Sequence, residues 1–146
     1  MYTTQLITAE ETHGIRRIVL RDNKDVSVVF EGDTDSTTLH TGIFKGDTLL
    51  GIATFMKNKH KDLQGAQYQL RGMAVSESHQ SLGLGNSLLA FGLKKISEQG
   101  GTLCWCNART VALSFYKKME FSIIGEEFIV PEIGPHFVMF KKLSNV

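Results

Sequence analysis

The fold of this chain is decided by the stretch Met73-Ala74-Val75-Ser76-Glu77-Ser78-His79-Gln80-Ser81-Leu82-Gly83-Leu84-Gly85-Asn86. An apolar strand runs into a polar turn, and a Gly-x-Gly pair then opens a helix. Such a helix start points backbone N–H groups outward, where the partial positive charge of the helix favours a phosphate. Gly83 and Gly85 add no Cβ between backbone and ligand, and they permit positive φ. The stretch therefore predicts a diphosphate site.

Two common phosphate-binding motifs fit this stretch less well. A P-loop has Gly-Lys-Ser/Thr after its glycines, whereas this chain has Gly85-Asn86-Ser87. A dinucleotide-binding fold has a third glycine near Leu88 and an acidic residue about twenty positions later, where Trp105 stands. A helix that simply begins here, with glycines relieving crowding, is the structural alternative to any phosphate site.

Length and composition predict one globular domain over residues 1–146. Apolar residues make up 42% of the chain and charged residues 21%, which is ordinary for such a domain. The formal net charge of +1 gives no broad cationic surface, so we expect no nucleic-acid partner. The first residues lack a basic end followed by an apolar run, and no stretch reaches membrane-spanning length. We therefore expect a cytoplasmic protein without a membrane partner.

Cys104 and Cys106 form a Cys-x-Cys pair on a predicted strand, where both side chains point the same way. No second cysteine pair completes a zinc site, and no histidine has the spacing of a metal ligand. We expect buried reduced thiols and no bound metal, with a reactive thiol as the alternative.

Hydrophobic periodicity and turn residues predict the elements. A capping box, Thr8-Ala9-Glu10-Glu11, starts the first helix; its Arg16, Arg17 and Arg21 are expected to be solvated. Residues 22–36 carry no clear pattern, and Gly72 within a strand indicates a bulge or a close backbone approach. The predicted elements are a helix over 9–21, strands over 37–44, 48–57 and 67–75, a helix ending near 99, a strand over 102–106, a helix over about 112–119, and strands over 121–130 and 136–142. This order predicts a mixed α/β (α+β) domain with a largely antiparallel sheet flanked by helices.

Two motifs in this order resemble those of the GNAT superfamily of acyl-CoA N-acyltransferases. Gln80-x-x-Gly83-x-Gly85, between a strand and a helix, is similar to the family's pyrophosphate-binding motif. Arg109-x-x-Ala112-x-x-Phe115-Tyr116-Lys117-x-Met119-x-Phe121 is similar to its second signature, a helix that ends in Tyr before the penultimate strand. The resemblance covers nearly the whole chain and is firmest over residues 67–121. Two positions depart from the family: Arg109 stands where Asn is common, and Glu120 where Gly is usual.

The resemblance implies the GNAT fold and acetyl-CoA as the cofactor. It implies a splay between the strand ending at Val75 and the strand at Leu103, where exposed backbone groups pair with the pantetheine amides and a backbone N–H of Met73 or Val75 faces the developing oxyanion. Tyr116 resembles the family's catalytic proton donor to the CoA thiolate; a phenol has a higher pKa than a thiol, so a hydrogen bond is easier than full transfer. The implied cofactor-binding residues are Met73, Ala74, Val75, Gln80, Ser81, Leu82, Gly83, Leu84, Gly85, Asn86 and Asn107.

The acceptor side is less defined by the sequence. Many GNAT proteins have a carboxylate base on the strand before the phosphate loop, where this chain has Gln69 and Arg71. Arg71 and Arg109 are candidates to bind a substrate carboxylate, and His40 and His136 are candidates for proton transfer or acceptor binding. A purely structural role is the alternative for each of the four.

We therefore expect an N-acetyltransferase that moves an acetyl group from acetyl-CoA to a primary amine of a small molecule, by direct transfer in a ternary complex. A non-catalytic acyl-CoA sensor and a protein or peptide N-acetyltransferase are the alternatives. The last two strands make a homodimer possible. The acceptor amine and the general base are not determined by the sequence.

Overall fold

A computed structural model describes residues 1–21 and 27–143. Seven strands form one sheet in the order β1-β2-β3-β4-β5-β7-β6, and every neighbouring pair is antiparallel except β4 and β5. This is the mixed, mostly antiparallel sheet flanked by helices that the sequence predicts. The strands are β1 (Tyr2–Ile7), β2 (Leu39–Lys45), β3 (Thr48–Lys57), β4 (Gln67–Val75), β5 (Leu103–Arg109), β6 (Ser122–Val130) and β7 (Gly134–Lys142). The helices are α1 (Ala9–Ile15), α2 (Leu84–Glu98) and α3 (Leu113–Lys118).

The N-terminus differs from the prediction, since a strand precedes the first helix. β1 pairs with β2 at the edge of the sheet, and most of its side chains are exposed, so the strand lacks the alternation that sequence analysis detects. The capping box is confirmed: Glu11 N–H donates to Thr8, and Thr8 N–H donates to the Glu11 carboxylate. α1 ends earlier than predicted, at Ile15, and residues Arg16–Leu20 form a π-helical turn.

A bulge at Gly72 reorients the end of β4. Ile52 pairs with Ala74, whereas Thr54 pairs with Arg71, so the register with β3 shifts between them. Gly72 has φ of +62°. Because one extra residue reverses the side-chain alternation, Met73 packs in the same core cluster as Leu70 and not on the face of Arg71, where simple alternation would place it.

α2 and α3 cover one face of the sheet, called here the helical face. Its main cluster joins Leu89, Leu93 and Ile96 of α2 with Tyr116 of α3 and with inward residues of β3, β4, β5 and β7. α1 lies on the opposite face, called the α1 face, where Arg16 bonds Thr54 of β3. Ala53 and Phe55 belong to the helical-face cluster, so the intervening Thr54 points the other way.

β4 and β5 pair over only three residues before they separate. The parallel register joins Gln67 with Leu103 and Gln69 with Trp105, and no further pair follows. β5 continues to Arg109, three residues beyond its predicted end. The split implied by the family resemblance is thus present in the middle of the sheet. No helix in the described part of the chain is long and apolar enough to cross a membrane.

Candidate active site

The loop before α2 presents unpaired backbone N–H groups. No hydrogen bond within the described residues uses the N–H groups of residues 81–86, and α2 has no side-chain cap at its N-terminus. The first N–H groups of a helix lack intrahelical partners, and they carry the positive end of the helix dipole. Six adjacent donors therefore have no acceptor among the described residues, and donors in this arrangement favour an anion such as a phosphate group.

The two glycines of this loop have different structural roles. Gly83 is the N-cap of α2 with φ of +81°, and a Cβ built there meets no atom within 4 Å. A Cβ at Gly85 comes within 3.1 Å of Met73 Cε and 3.5 Å of the Phe115 ring. Gly83 thus supplies the left-handed turn and open space for a ligand, whereas Gly85 permits α2 to pack against β4 and α3.

The remaining loop residues brace the turn. The side-chain amide of Gln80 donates to the Val75 carbonyl at 2.9 Å, which ties the loop back to the end of β4. Ser81 has φ of +67°, an uncommon conformation for a residue with a Cβ. Leu84 is buried against Ile43, Leu50 and Leu88, so only its backbone is available to a ligand. Leu82 and Asn86 are exposed at the loop surface.

The end of β4 has one free edge beside the split. Val75 and Ala74 pair with Gly51 and Ile52 of β3, and no strand of the described chain pairs on their other side. Met73 lies on the same stretch. Backbone groups on such an edge are available to an extended ligand that adds itself as a strand.

A cavity of about 640 Å³ lies at this split and is lined by residues of both faces of the sheet. Leu70, Cys106 and Tyr116 line it from the helical face. Side chains of the α1 face line the remainder, because Arg71 pairs with Thr54 and because Asn107 and Arg109 alternate with the inward Cys106 and Ala108. The cavity thereby connects the two faces. The other lining residues are Leu20, Arg21, Phe30, Gln69, Gly72, Met73, Ala112, Pro131, Glu132, Ile133 and His136.

Tyr116 is placed in this cavity as a protonated phenol. Its side chain is buried, contacts the rings of Phe115 and Phe121 edge-on, and lies beside the Cys106 thiol. Burial raises the pKa of Tyr116 well above its usual value, and the neighbouring thiols add to the rise. Tyr116 is therefore a hydrogen-bond donor at neutral pH, and its proton is harder to release than that of a free phenol.

The two cysteines are buried and reduced, as expected. Burial raises the pKa of Cys106 to about 12, although the neighbouring Tyr116 hydroxyl opposes the rise. Burial also raises the pKa of Cys104, and the adjacent Cys106 adds to the effect. The thiolate is the nucleophile of cysteine chemistry, so neither side chain is suited to form a covalent acyl-enzyme at neutral pH.

His136 and Arg109 are neighbours on the α1 face, since they pair in register across β5 and β7. His136 is buried, stacks on Phe128, and places Nδ1 2.8 Å from the Gly134 carbonyl. A carbonyl can only accept, so Nδ1 carries the proton, and a neutral ring keeps its lone pair on Nε2. The cavity therefore contains an oriented imidazole.

His40 does not reach the cavity, and Arg16 is not solvated, contrary to the prediction for that arginine. Arg16 is fully buried and forms a bidentate pair with Asp33, at 2.6 and 3.0 Å. Arg16 Nη2 also donates to Thr54, whose hydroxyl lies 2.8 Å from His40 Nδ1. His40 Nε2 donates to the Asp33 carbonyl, which completes a closed network that engages both of its ring nitrogens. His40 therefore has a structural role in these contacts.

Phe30 and Glu132 are among the cavity residues that sequence analysis did not assign to the site. Glu132 lies in the turn between β6 and β7 with φ of +68°, far in sequence from the strand where a carboxylate was sought. Phe30 precedes a polar turn in the stretch without a clear pattern, and its ring lies over the bulge: a Cβ on Gly72 would come within 2.8 Å of it. The sequence signal for this contact is the glycine within β4, because a Cβ at that position would collide with the Phe30 ring.

Comparison with known proteins gives a consistent result. The model of the acetyltransferase (GNAT) family matches residues 4–121. An uncharacterized N-acetyltransferase of Bacillus subtilis (strain 168), YitI, is 33% identical over 147 residues that cover 99% of both chains. Escherichia coli ElaA has a similar structure, with a TM-score of 0.79 and 20% identity over 97% of this chain and 99% of that one. An aminoglycoside 6'-N-acetyltransferase complexed with coenzyme A superimposes with a TM-score of 0.73 at 11% identity, over 96% of each chain.

Proposed function

Because the chain belongs to the acetyltransferase (GNAT) family, we propose that it transfers an acetyl group from acetyl-CoA to a primary amine of a small molecule, directly and within a ternary complex. One observation carries the proposal: a loop whose N–H groups have no partner among the described residues adjoins the strand split through the contact of Gly85 with Met73. Met73 lines the same cavity as Tyr116 of the helical face and Arg71 of the α1 face.

The loop and the β4 edge are the proposed cofactor site. The N–H groups of residues 81–86 are free, Gly83 leaves open space, and the edge at Met73–Val75 has no strand partner within the described chain. These features fit a diphosphate followed by an extended amide chain. When bound there, acetyl-CoA supplies an activated acetyl thioester. Asn107, which lines the cavity from β5, is proposed to contact it from the opposite side.

Tyr116 is the proposed catalytic residue. Its raised pKa keeps the proton on the phenol oxygen, so the side chain is proposed to stabilise a developing thiolate by hydrogen bonding. A backbone N–H of Met73 or Val75 is proposed to stabilise the charge on the carbonyl oxygen. The buried Cys106 thiol supports direct transfer, because its high pKa argues against a covalent acyl-enzyme intermediate on this side chain.

Removal of a proton from the acceptor amine is assigned to His136, directly or through water. Its Nδ1–H is held by the Gly134 carbonyl, which leaves Nε2 as the basic nitrogen in the cavity wall. Glu132 is the carboxylate that lines the same cavity, and it is exposed. Both groups replace the strand carboxylate that the family often has and that this chain lacks.

A small molecule is favoured as the acceptor because the cavity has the size of a small-molecule site. Its volume of about 640 Å³ lies in the range of roughly 300–1,000 Å³ that is typical of such pockets. A peptide acceptor needs an extended groove in addition. An acyl-CoA sensor remains the alternative from another class, and it differs in requiring binding without turnover.

Turnover is tested by thiol release from acetyl-CoA over a panel of amines, with Tyr116→Phe as the variant. Loss of one hydrogen bond to a developing charge predicts a fall of about 10- to 100-fold in kcat. Tyr68→Phe is the matched control, because Tyr68 bonds Gln99 outside the cavity. Tight CoA binding without acetylation of any amine would support the sensor instead, and an unchanged kcat in Tyr116→Phe would remove Tyr116 from the mechanism.

The cofactor site is tested separately by Gly83→Val. A β-branched residue is strained at φ of +81° and places methyl groups in the open space of the loop. We expect CoA affinity, measured by titration calorimetry, to fall about tenfold or more. Gly46→Val is the control, since Gly46 has φ of +60° and open surroundings in the β2–β3 turn. Equal CoA affinity in the two variants would refute the loop assignment.

A further inference from the structure

The cavity contains more cationic than anionic side chains. Arg21, Arg71 and Arg109 line it, and Glu132 is the one carboxylate among its described lining residues. The whole chain has a formal net charge of only +1. Positive charge is therefore concentrated where the acceptor is proposed to bind, and a cleft of one sign attracts ligands of the other.

The Phe30 ring contacts the guanidinium group of Arg71 at the cavity. The guanidinium carbon of Arg71 lies 4.7 Å from the centre of the Phe30 ring, and that of Arg21 lies 5.6 Å from it. No described residue accepts a hydrogen bond from the guanidinium N–H groups of Arg71, which lines the cavity. Arg71 is thus positioned and still able to donate.

Arg71 and Arg109 have no acidic partner in the protein as far as residues 1–21 and 27–143 show. Three ion pairs join side chains in this part of the chain, and neither arginine takes part in them. No hydrogen bond to another described residue uses either guanidinium. Both side chains belong to the α1 face, one on each side of the split. Two unpaired guanidinium groups facing one cavity are a site for an oxyanion, which each can bind through two parallel hydrogen bonds.

We infer that the acceptor is an amine that also carries an oxyanion group, a carboxylate or a phosphonate or phosphate, bound by Arg71 and Arg109. This inference rests on the proposed function. An amine without such a group arrives as an ammonium ion and is repelled by the arginines. An anionic group neutralises them and holds the amine in the cavity. The same positive charge favours the neutral form of the amine, which is the form that attacks.

The test compares amines that differ only in the charged group, with acetyl-CoA saturating. γ-Aminobutyrate is compared with its amide, and aminoethylphosphonate with ethylamine. We expect kcat/KM to be about 10- to 100-fold higher for the anionic member of each pair. Charge-assisted hydrogen bonds to an arginine strengthen the binding of a ligand by a factor of about this size. The pair with the larger preference distinguishes a carboxylate from a phosphonate or phosphate acceptor.

Variants assign the preference to the two arginines. Arg71→Gln and Arg109→Gln are each expected to raise KM for the anionic amine about tenfold or more, with kcat nearly retained and KM for the neutral amine unchanged or lower. Arg71→Lys, which keeps the charge and loses the planar fork, is expected to fall between. Arg17→Gln is the control, because Arg17 is exposed and lies outside the cavity.

The outcomes separate this inference from the function on which it rests. Acetylation of neutral and anionic amines with equal kcat/KM would leave the function standing and overturn the inference. If CoA binds but no amine reacts, the function fails, and titration of the CoA-saturated protein with γ-aminobutyrate and its amide still decides the charge preference. Tighter binding of the carboxylate, lost in Arg71→Gln, would sustain the anionic site; equal binding would reject it.

Discussion

The two faces of the sheet are built on different principles. The helical face is an apolar cluster in which α2 and α3 bury Leu89, Leu93 and Tyr116 against the strands. The α1 face contains a closed polar network in which Arg16 and Asp33 are both buried and paired. The proposed cofactor site lies on the first face and the proposed acceptor site on the second.

Because of this difference, different kinds of substitution are expected to destabilise the two faces. An apolar cluster responds to volume, because close packing leaves no space for an added methyl group. A buried ion pair is destabilised by the loss of one partner, because the other partner remains charged and cut off from solvent. Arg16 already has one unsatisfied donor, Nε, the only buried side-chain N or O atom without a partner among the described residues; the Phe30 ring lies 3.8 Å from the guanidinium carbon.

The largest effect is expected from breaking the network on the α1 face. Arg16→Ala removes the guanidinium donors to Asp33, Thr54 and the Val28 carbonyl, and the free energy of unfolding should fall by about 3–5 kcal/mol in urea titrations. The double variant Arg16→Met with Asp33→Leu should lose less than either single change, because no charge stays buried. Arg17→Ala should stay within about 0.5 kcal/mol of the parent chain. An Arg16→Ala variant as stable as Arg17→Ala would contradict the network.

A smaller effect is expected from adding volume to the helical face. A Cβ on Gly92 of α2 would overlap the Phe55 ring of β3, so Gly92→Ala should destabilise the protein by about 1–3 kcal/mol. Gly14 of α1 is the matched helical glycine, with no atom within 4 Å of a built Cβ. Gly14→Ala should stabilise the chain by about 0.5–1 kcal/mol through helix propensity. Thermal or urea unfolding of the pair measures the difference, and stabilisation by both changes would show that the helical face is loosely packed.

Acid should weaken the α1 face first. Burial alone raises the pKa of Asp33, but the hydrogen bonds from Arg16 and the Phe30 N–H, and the nearby positive charges, lower it below its usual value overall. A carboxylate with a depressed pKa contributes stability above its unfolded value of about 3.9, and that contribution is lost as pH falls through the folded pKa. The urea concentration at the unfolding midpoint should therefore fall as the pH is lowered below about 4. This fall should be smaller in Asp33→Asn. The exposed Asp47→Asn variant should keep the parental slope.

The smallest effect is expected at the turn after α3 on the helical face. Glu120 takes the place of the family's usual glycine and adopts φ of +69°, while Phe121 N–H donates to the Tyr116 carbonyl. Glu120→Gly removes the strain but adds freedom to the unfolded chain, so a gain of about 0.5 kcal/mol is expected. Glu120→Gln, which retains the strain and removes the weak pair with Lys141, should be near neutral. A Glu120→Gly variant less stable than Glu120→Gln would show that the turn is not strained.

The helical face was largely predictable because its signals are local. Gly83 and Gly85 precede an apolar helix, and Gly100-Gly101 stops that helix, where Gly101 N–H donates to the Ile96 carbonyl as expected of a helix end. The motif around Tyr116 is likewise contiguous. Each of these features is encoded within a few residues, so glycine spacing reveals the loop and the helix end, and the resemblance to a family motif reveals the Tyr116 helix.

The α1 face was not predictable in the same way. Arg16 in a helical pattern is most often solvated, and nothing near it in sequence indicates a partner 17 residues away. Phe30 and Glu132 meet at the cavity from segments separated by more than half of the chain. Such contacts depend on which distant segments of the chain the fold brings together.

The sequence alone indicated the glycine-rich loop before α2 and the strand and helix order from β2 onward, because both depend on short-range periodicity and on glycines at fixed spacing. Its two motifs also resembled those of the family to which the chain belongs. Only the tertiary structure decided that Arg16 is buried, that the Gly72 bulge turns Met73 toward the helical face, and that three arginines share one cavity. The physical reason is that burial and charge pairing are properties of contacts between distant segments. A residue type alone does not specify which segment it will meet.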